Sequence, residues 1–412
     1  MKNFNLLFDQ YARLAVCVGA NVQKDQMVVI RSSTESSALV RKISEHAYLQ
    51  GAKKVTVQWS DDYVSKIGYD YMSLETLEEV PQYLIDQTQY FVDQGAAFIS
   101  VVSPIPGLNK DVDPTKMRTS AMAMQTKLSF FQQHLMGNNA QWTIVASSNP
   151  IWAEAIFPNL KGDAAVDALW KAIFDACRVT EGNDPIEAWE AHNHVLEKHN
   201  QILNNYNFKT LKFKNSLGTD LTVQLVENHV WAGGGEKTTK GVYFNPNIPT
   251  EETFTMPYKW GTEGKVVASK PLNYQGKIIK DFWMVFKDGK VVEFDALHEK
   301  ETLKNIIEFD ENSGYIGEIA LISHDSPISN TNLLFLNTLF DENASCHMAL
   351  GRAYPMNIKN GIHTPIKELE KVGYNQSMVH CDFMFGSADM TIVGQTHDGK
   401  EVLVFENGNF VI

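Results

Sequence analysis

The spacing of apolar residues changes near residue 206, and this change constrains the possible fold more than any other feature. In residues 3–18, Leu6, Leu7, Tyr11, Leu14, Ala15 and Val18 recur at helical spacing, and Gly19 follows as a stop. Short apolar strands are expected at 27–30, 54–59, 96–102 and 142–146, with a helix over 36–50 closed by Gly51. Alternation of this kind predicts an α/β N-terminal domain with a mostly parallel sheet. A long polar helix over 185–205 links it to the rest. Beyond it, Leu211, Phe213, Leu221, Val223 and Leu225 alternate with polar residues around a turn at 215–218. Asp288-Gly289 and Asp398-Gly399 each sit beside strand-like runs, a strong hairpin signal. The second half therefore reads as an α+β C-terminal domain with a largely antiparallel sheet. The expected division is a scaffold over 1–205, linker helix included, and a chemistry-bearing domain over 206–412.

Composition removes several classes of function. Lys plus Arg is 36 against 49 Asp plus Glu, a net charge of −13. That balance opposes binding to nucleic acid or an anionic membrane, both of which call for a basic surface. Four cysteines in 412 residues are too few for a disulfide scaffold. No apolar run reaches the ~20 residues of a membrane helix, and the opening MKNFNLLFDQYARL lacks a signal-peptide layout, so a cytoplasmic location is expected. Neither G-x-G-x-x-G at a strand–helix turn nor G-x-x-x-x-G-K-[ST] occurs, and Gly233-Gly234-Gly235 reads as a flexible turn.

The excess of carboxylates raises the question of cations. His192 and His199 share a face of the linker helix but are seven residues apart, too far to share one ion. More informative is Ser377 to Met384, apolar enough for a buried strand yet carrying His380 and Asp382. Period two puts both side chains on one face, where they need a cation or each other. His347 lies in a small and apolar stretch before Gly351, and Glu318 opens the apolar run Ile319 to Ile322. Glu251 and Glu252 are adjacent between Pro249 and Pro257, so an extended segment lets only one of them face a given site. Together these segments supply three carboxylates and two imidazoles, a ligand set for two divalent ions. Cys346 and Cys381 flank the histidines without any C-x₂₋₄-C pair and read as buried small hydrophobes.

In order along the chain, NIPTEETFTMP, GEIALIS, LFDENASCHMALGRAY and HCDFMFGS resemble the thermophilic-aminopeptidase family of metallopeptidases, the aminopeptidase T and aminopeptidase S type. The resemblance extends to the N-terminal FDQYARLAVCVGANVQKDQMVVI and covers nearly the whole chain. It implies that Glu252, Glu318, His347, His380 and Asp382 are metal ligands and that Tyr354 stands at the metal site. It also implies two divalent ions drawn from zinc, cobalt, magnesium and manganese, a homodimer, and peptide substrates with a free N-terminus. The implied reaction is removal of N-terminal residues by a hydroxide bridging the two ions. Glu251 is the remaining candidate for a general base, although the facing argument weighs against it. Two other readings use the same ligand types: a different two-metal hydrolase, such as an amidase or phosphoesterase, and a non-catalytic metal-stabilised binding protein.

Overall fold

A computed structural model of the chain describes residues 1–274 and 276–412. The chain forms two compact units, Met1–Ala191 with Gly235–Pro249, and His192–Gly234 with Thr250–Ile412.

The first unit is built on β1 (Met27–Ser33), β2 (Lys54–Ser60), β3 (Ala97–Val102) and β4 (Trp142–Ala146). They form a four-stranded sheet in the order β2-β1-β3-β4, parallel throughout. Val28, Val29, Ile30, Ile99 and Val145 are buried, as expected of strands covered on both faces. The first helix is shorter than its periodicity predicts. It is α-helical over Phe4–Leu14 and continues as a π-helical turn over Ala15–Gly19. The N-terminal α/β expectation is met.

The second unit contains a nine-stranded sheet whose neighbours pair antiparallel. The predicted hairpins are present. Thr210–Lys214 pairs with Asp220–Leu225, Lys277–Lys287 with Lys290–His298 across Asp288-Gly289, and Thr391–Gln395 with Glu401–Glu406 across Asp398-Gly399. A separate four-stranded sheet combines β5 (Thr253–Thr255), β6 (Ile316–Leu321), β7 (His347–Gly351) and β8 (His380–Met384). Its order is β8-β7-β6-β5, again antiparallel.

Register makes this smaller sheet two-faced. Residues directly opposite in an antiparallel pair point to the same side. Ile319 opposes Met348, which opposes Phe383, while Leu350 opposes Cys381. All five belong to the main hydrophobic cluster of the unit. Full burial of such side chains contributes about 1.5–3 kcal/mol each, which holds the opposite face in place.

Candidate metal centre

The other face of the small sheet carries the chemistry. Glu318 on β6 opposes Ala349 on β7, which opposes Asp382 on β8. His347 and His380 lie on the same face, opposite Ala320 and Gly351 respectively. Between Glu318 and Asp382 the row holds only the methyl group of Ala349, so no bulky side chain separates the two carboxylates. A bulge gives Glu318 its direction. Ile316 opposes Leu350 on the apolar face, yet Glu318 opposes the next residue, Ala349, on the polar one. One extra residue, Gly317, flips the alternation and aims the carboxylate away from the core. A Cβ at Gly317 would stand 2.4 Å from the carbonyl oxygens of Gly351 and Arg352.

Glu252 reaches this face from the segment entering β5, and Glu251 turns elsewhere. The Glu251 Oε2 atom lies 3.7 Å from His192 Nε2, and that nitrogen donates to the Thr250 carbonyl at 2.8 Å. The Glu251 amide donates to Asn343 Oδ1 at 2.8 Å. His192, which reads as one residue of a polar helix face, is buried beside the site segment. Gly233 is likewise more than a loose turn. With φ at 147°, it lies against the Glu252 backbone, where a Cβ would stand 2.1 Å from the Glu252 carbonyl oxygen. Asn200 donates to the Gly233 carbonyl at 3.1 Å and accepts from the Thr253 hydroxyl at 2.7 Å. Neither His192 nor Gly233 has a local pattern that announces this role, because both contacts are long-range in sequence.

The donor atoms converge. His347 Nε2 lies 3.3 Å from Glu252 Oε2 and 3.4 Å from Glu318 Oε1. His380 Nε2 lies 3.4 Å from Asp382 Oδ1 and 3.7 Å from Glu318 Oε2. One ligand atom each from Glu252, Glu318 and His347 falls within 4.8 Å of the others. These separations exceed the ~2.7–2.9 Å of a charge-assisted N–H···O bond and suit ligands arranged about a cation. The His380 tautomer points the same way. Its Nδ1–H donates to the Arg352 carbonyl at 2.7 Å, so in the neutral ring the lone pair on Nε2 faces the carboxylates. Two acceptors facing each other repel unless a proton or a metal lies between them.

Burial sharpens the electrostatics. It raises the Glu318 carboxyl. For His347, burial opposes the charged ring, but Glu252 and Glu318 raise it well above the ordinary histidine range. In His380, burial is likewise outweighed, and Asp382 and Glu318 raise the ring to about 9. Burial also opposes the Asp382 carboxylate, which His380 and His347 hold below the usual range. A set of three carboxylates and two imidazoles, each buried or half-buried, has the donor types of a divalent-metal site, so the residues present fit such ions.

Tyr354 stacks obliquely over His380, with ring centroids 4.7 Å apart. Burial, then the charges of Glu318 and Asp382, push its hydroxyl well above the normal tyrosine range and keep it protonated. Cys346 points away, its thiol bonded to the Ile322 backbone at 3.4 Å, and Cys381 joins the apolar cluster. One acidic residue emerges only from the tertiary structure. Glu342, on the 3-10 turn Glu342–Ala344, is raised well above the usual range by burial and by Asp382 and Glu252. It lies within the quoted LFDENASCHMALGRAY, but a turn has no period from which to infer its direction.

Comparison with known proteins finds a metalloprotease family and full-length relatives. A family described as thermophilic metalloprotease (M29) matches residues 4–410. Aminopeptidase AmpS of Bacillus subtilis (strain 168) is 44% identical over 410 residues, spanning all of both chains. Aminopeptidase 2 of Geobacillus stearothermophilus is 43% identical over 410 residues, covering all of this chain and 99% of its own. Among solved structures, wild-type AmpT from Thermus thermophilus superposes with a TM-score of 0.93 at 36% identity, covering 99% of this chain and all of its own. With a full-length family match and relatives well above 30% identity, the chain belongs to the thermophilic metalloprotease family.

Proposed function

We propose that this metallohydrolase is an aminopeptidase that removes N-terminal residues from peptides, with Glu252, Glu318, His347, His380 and Asp382 holding two divalent ions. The observation that carries this reading is the single sheet face on which carboxylates and imidazoles converge at 3.3–3.7 Å. Zinc, cobalt, magnesium and manganese all suit a donor set of this kind. Divalent ions in such a set lower the pKa of a water toward neutrality and polarise a substrate carbonyl. The residues of the chain do the rest. The Arg352 carbonyl fixes the His380 ring so that Nε2 faces the centre. Tyr354, kept protonated by its surroundings, is suited to donate its hydroxyl to the oxyanion that forms on the first peptide carbonyl. Glu251, held beside His192, serves this centre through the backbone it anchors rather than as a base.

Relatives named as aminopeptidases support the substrate class. An amidase or phosphoesterase could use the same donors, and an assay separates these readings. Chelator-sensitive release of p-nitroaniline from aminoacyl anilides is expected, lost when the amine is acetylated. Cleavage that survives acetylation would rule out an aminopeptidase, and hydrolysis of a phosphate ester instead would favour a phosphoesterase.

We also propose a cytoplasmic homodimer in which residues 206–412 carry the catalysis and 1–205 act as scaffold. No helix among the described residues is long and apolar enough to cross a membrane. On the first unit, β2 is an edge strand, and the helix Asp62–Tyr71 beside it in sequence buries none of its residues. Trp59, Tyr63, Val64, Ile67 and Tyr71 are exposed there, an apolar surface suited to a second copy of the chain.

A further inference from the structure

An imidazole that faces a cation through one nitrogen is oriented by the partner of the other nitrogen. For His380 that partner is the Arg352 carbonyl, which takes its Nδ1–H at 2.7 Å. Arg352 lies just past the end of β7, so the strand ladder does not itself fix the direction of this carbonyl.

Asn375, buried at 1% exposure, holds the chain on both sides of Arg352. Its Nδ2 donates to the Gly351 carbonyl at 2.6 Å, and its backbone carbonyl accepts the Ala353 amide at 2.9 Å. A peptide unit is planar, so fixing the Ala353 N–H also fixes the Arg352 carbonyl on the opposite side of the same unit. The second Nδ2 hydrogen goes to the Asn312 carbonyl at 2.9 Å. Both side-chain partners are carbonyl oxygens, so the position calls for two N–H donors on a short side chain, which only asparagine supplies. The Arg352 amide completes the frame by donating to the Val379 carbonyl at 2.6 Å. Asp310 orders the segment that carries Val379. Its Oδ2 accepts the Ser377 hydroxyl at 2.8 Å and the Met378 amide at 2.7 Å, and the Ser377 oxygen in turn accepts the Val379 amide at 3.1 Å.

We infer that Asn375 is a positioning residue for metal binding. It aims the Arg352 carbonyl and, through it, the His380 ring, while Asp310 holds the segment leading into β8. Neither residue is assigned to the metal or to the substrate. The inference rests on the reading of His380 as a metal ligand given above.

The test is titration of the metal-free protein with cobalt(II), followed by its d–d absorption in the presence of a competing chelator. Wild type, Asn375→Ala, His380→Gln and the double variant are compared. In Asn375→Ala one of the two ions should bind roughly 10- to 100-fold more weakly, with the other as in wild type and the circular dichroism retained. In the His380→Gln background, Asn375→Ala should have no further effect on the cobalt that still binds. A residue that only supports the fold would weaken both ions, or would weaken binding equally with and without His380. Either result overturns the inference, as does unchanged affinity in Asn375→Ala. If Asn375→Ala does not fold, Asp310→Ala supplies the same comparison. Asp310→Asn, which keeps an oxygen acceptor for Ser377 and Met378, should bind cobalt as the wild type does. A wild type that takes up no cobalt removes the metal-centre reading itself, and this inference with it.

Discussion

His380 carries two obligations at once. Its Nδ1–H is committed to the Arg352 carbonyl, and its Nε2 faces Asp382 and Glu318. Without metal, the ring is raised from 6.5 to about 9, with the carboxylates outweighing burial. A folded pKa above the unfolded one adds stability that is fully present below about pH 6.5 and lost as pH rises through about 9. The metal-free protein should therefore become less stable to urea across that window, and His380→Gln should flatten this part of the profile. Metal affinity should move the opposite way and rise from pH 6.5 to 9, because an ion must displace the proton. Titration calorimetry across the window checks this; an affinity independent of pH would contradict it. This pair was legible in the sequence, since period two on an apolar strand places His380 and Asp382 together. Glu342 and His192 were not, because a turn and a polar helix leave direction undetermined until the chain packs.

Among the elements, β6 shows how local geometry directs a ligand. A regular strand would keep Glu318 on the face of Ile316, inside the apolar cluster; the bulge at Gly317 places it opposite Ala349 instead. Gly317→Ala puts a methyl group against two backbone carbonyls and should cost about 1–3 kcal/mol through overpacking. It should also lower bound metal, measured by elemental analysis beside urea unfolding. Ala349→Leu tests the neighbouring strand. Its side chain would project into the row between Glu318 and Asp382, so metal binding and turnover should be lost while the apolar face, and with it the fold by circular dichroism, persists. Unchanged metal content in Ala349→Leu would show that the two carboxylates do not act across that row. The sequence reading placed Glu318 at the start of an apolar strand. It could not foresee the bulge, because a single glycine in a strand pattern does not say which neighbour it will approach.

For the whole molecule, the net charge of −13 acquires a partial explanation. Glu252, Glu318 and Asp382 contribute three of those charges to one small face, and two divalent ions would bring +4 to it. The exposed apolar surface beside β2 leads to a separate expectation. Sedimentation should find a dimer, and Ile67→Lys, at a position 55% exposed, should shift it toward monomer without altering metal content. A wild type that sediments as a monomer at micromolar concentration would remove the homodimer proposal.

The amino-acid sequence by itself determined the fold class of both halves, the three Asp-Gly or Asn-to-Gly hairpins, and Glu318, His347, His380 and Asp382 as candidate donors, with one of Glu251 and Glu252 as the fifth. Alternation and turn chemistry are local, and local signals survive in a linear string. Tertiary structure decided which of the adjacent glutamates faces the centre, how Gly317 and Gly233 admit the backbone to it, and where Glu342 and His192 stand. Each of these depends on the approach of segments far apart in the chain. Gly233 meets Glu252 and His192 meets Thr250 only because hydrophobic burial elsewhere holds those segments together.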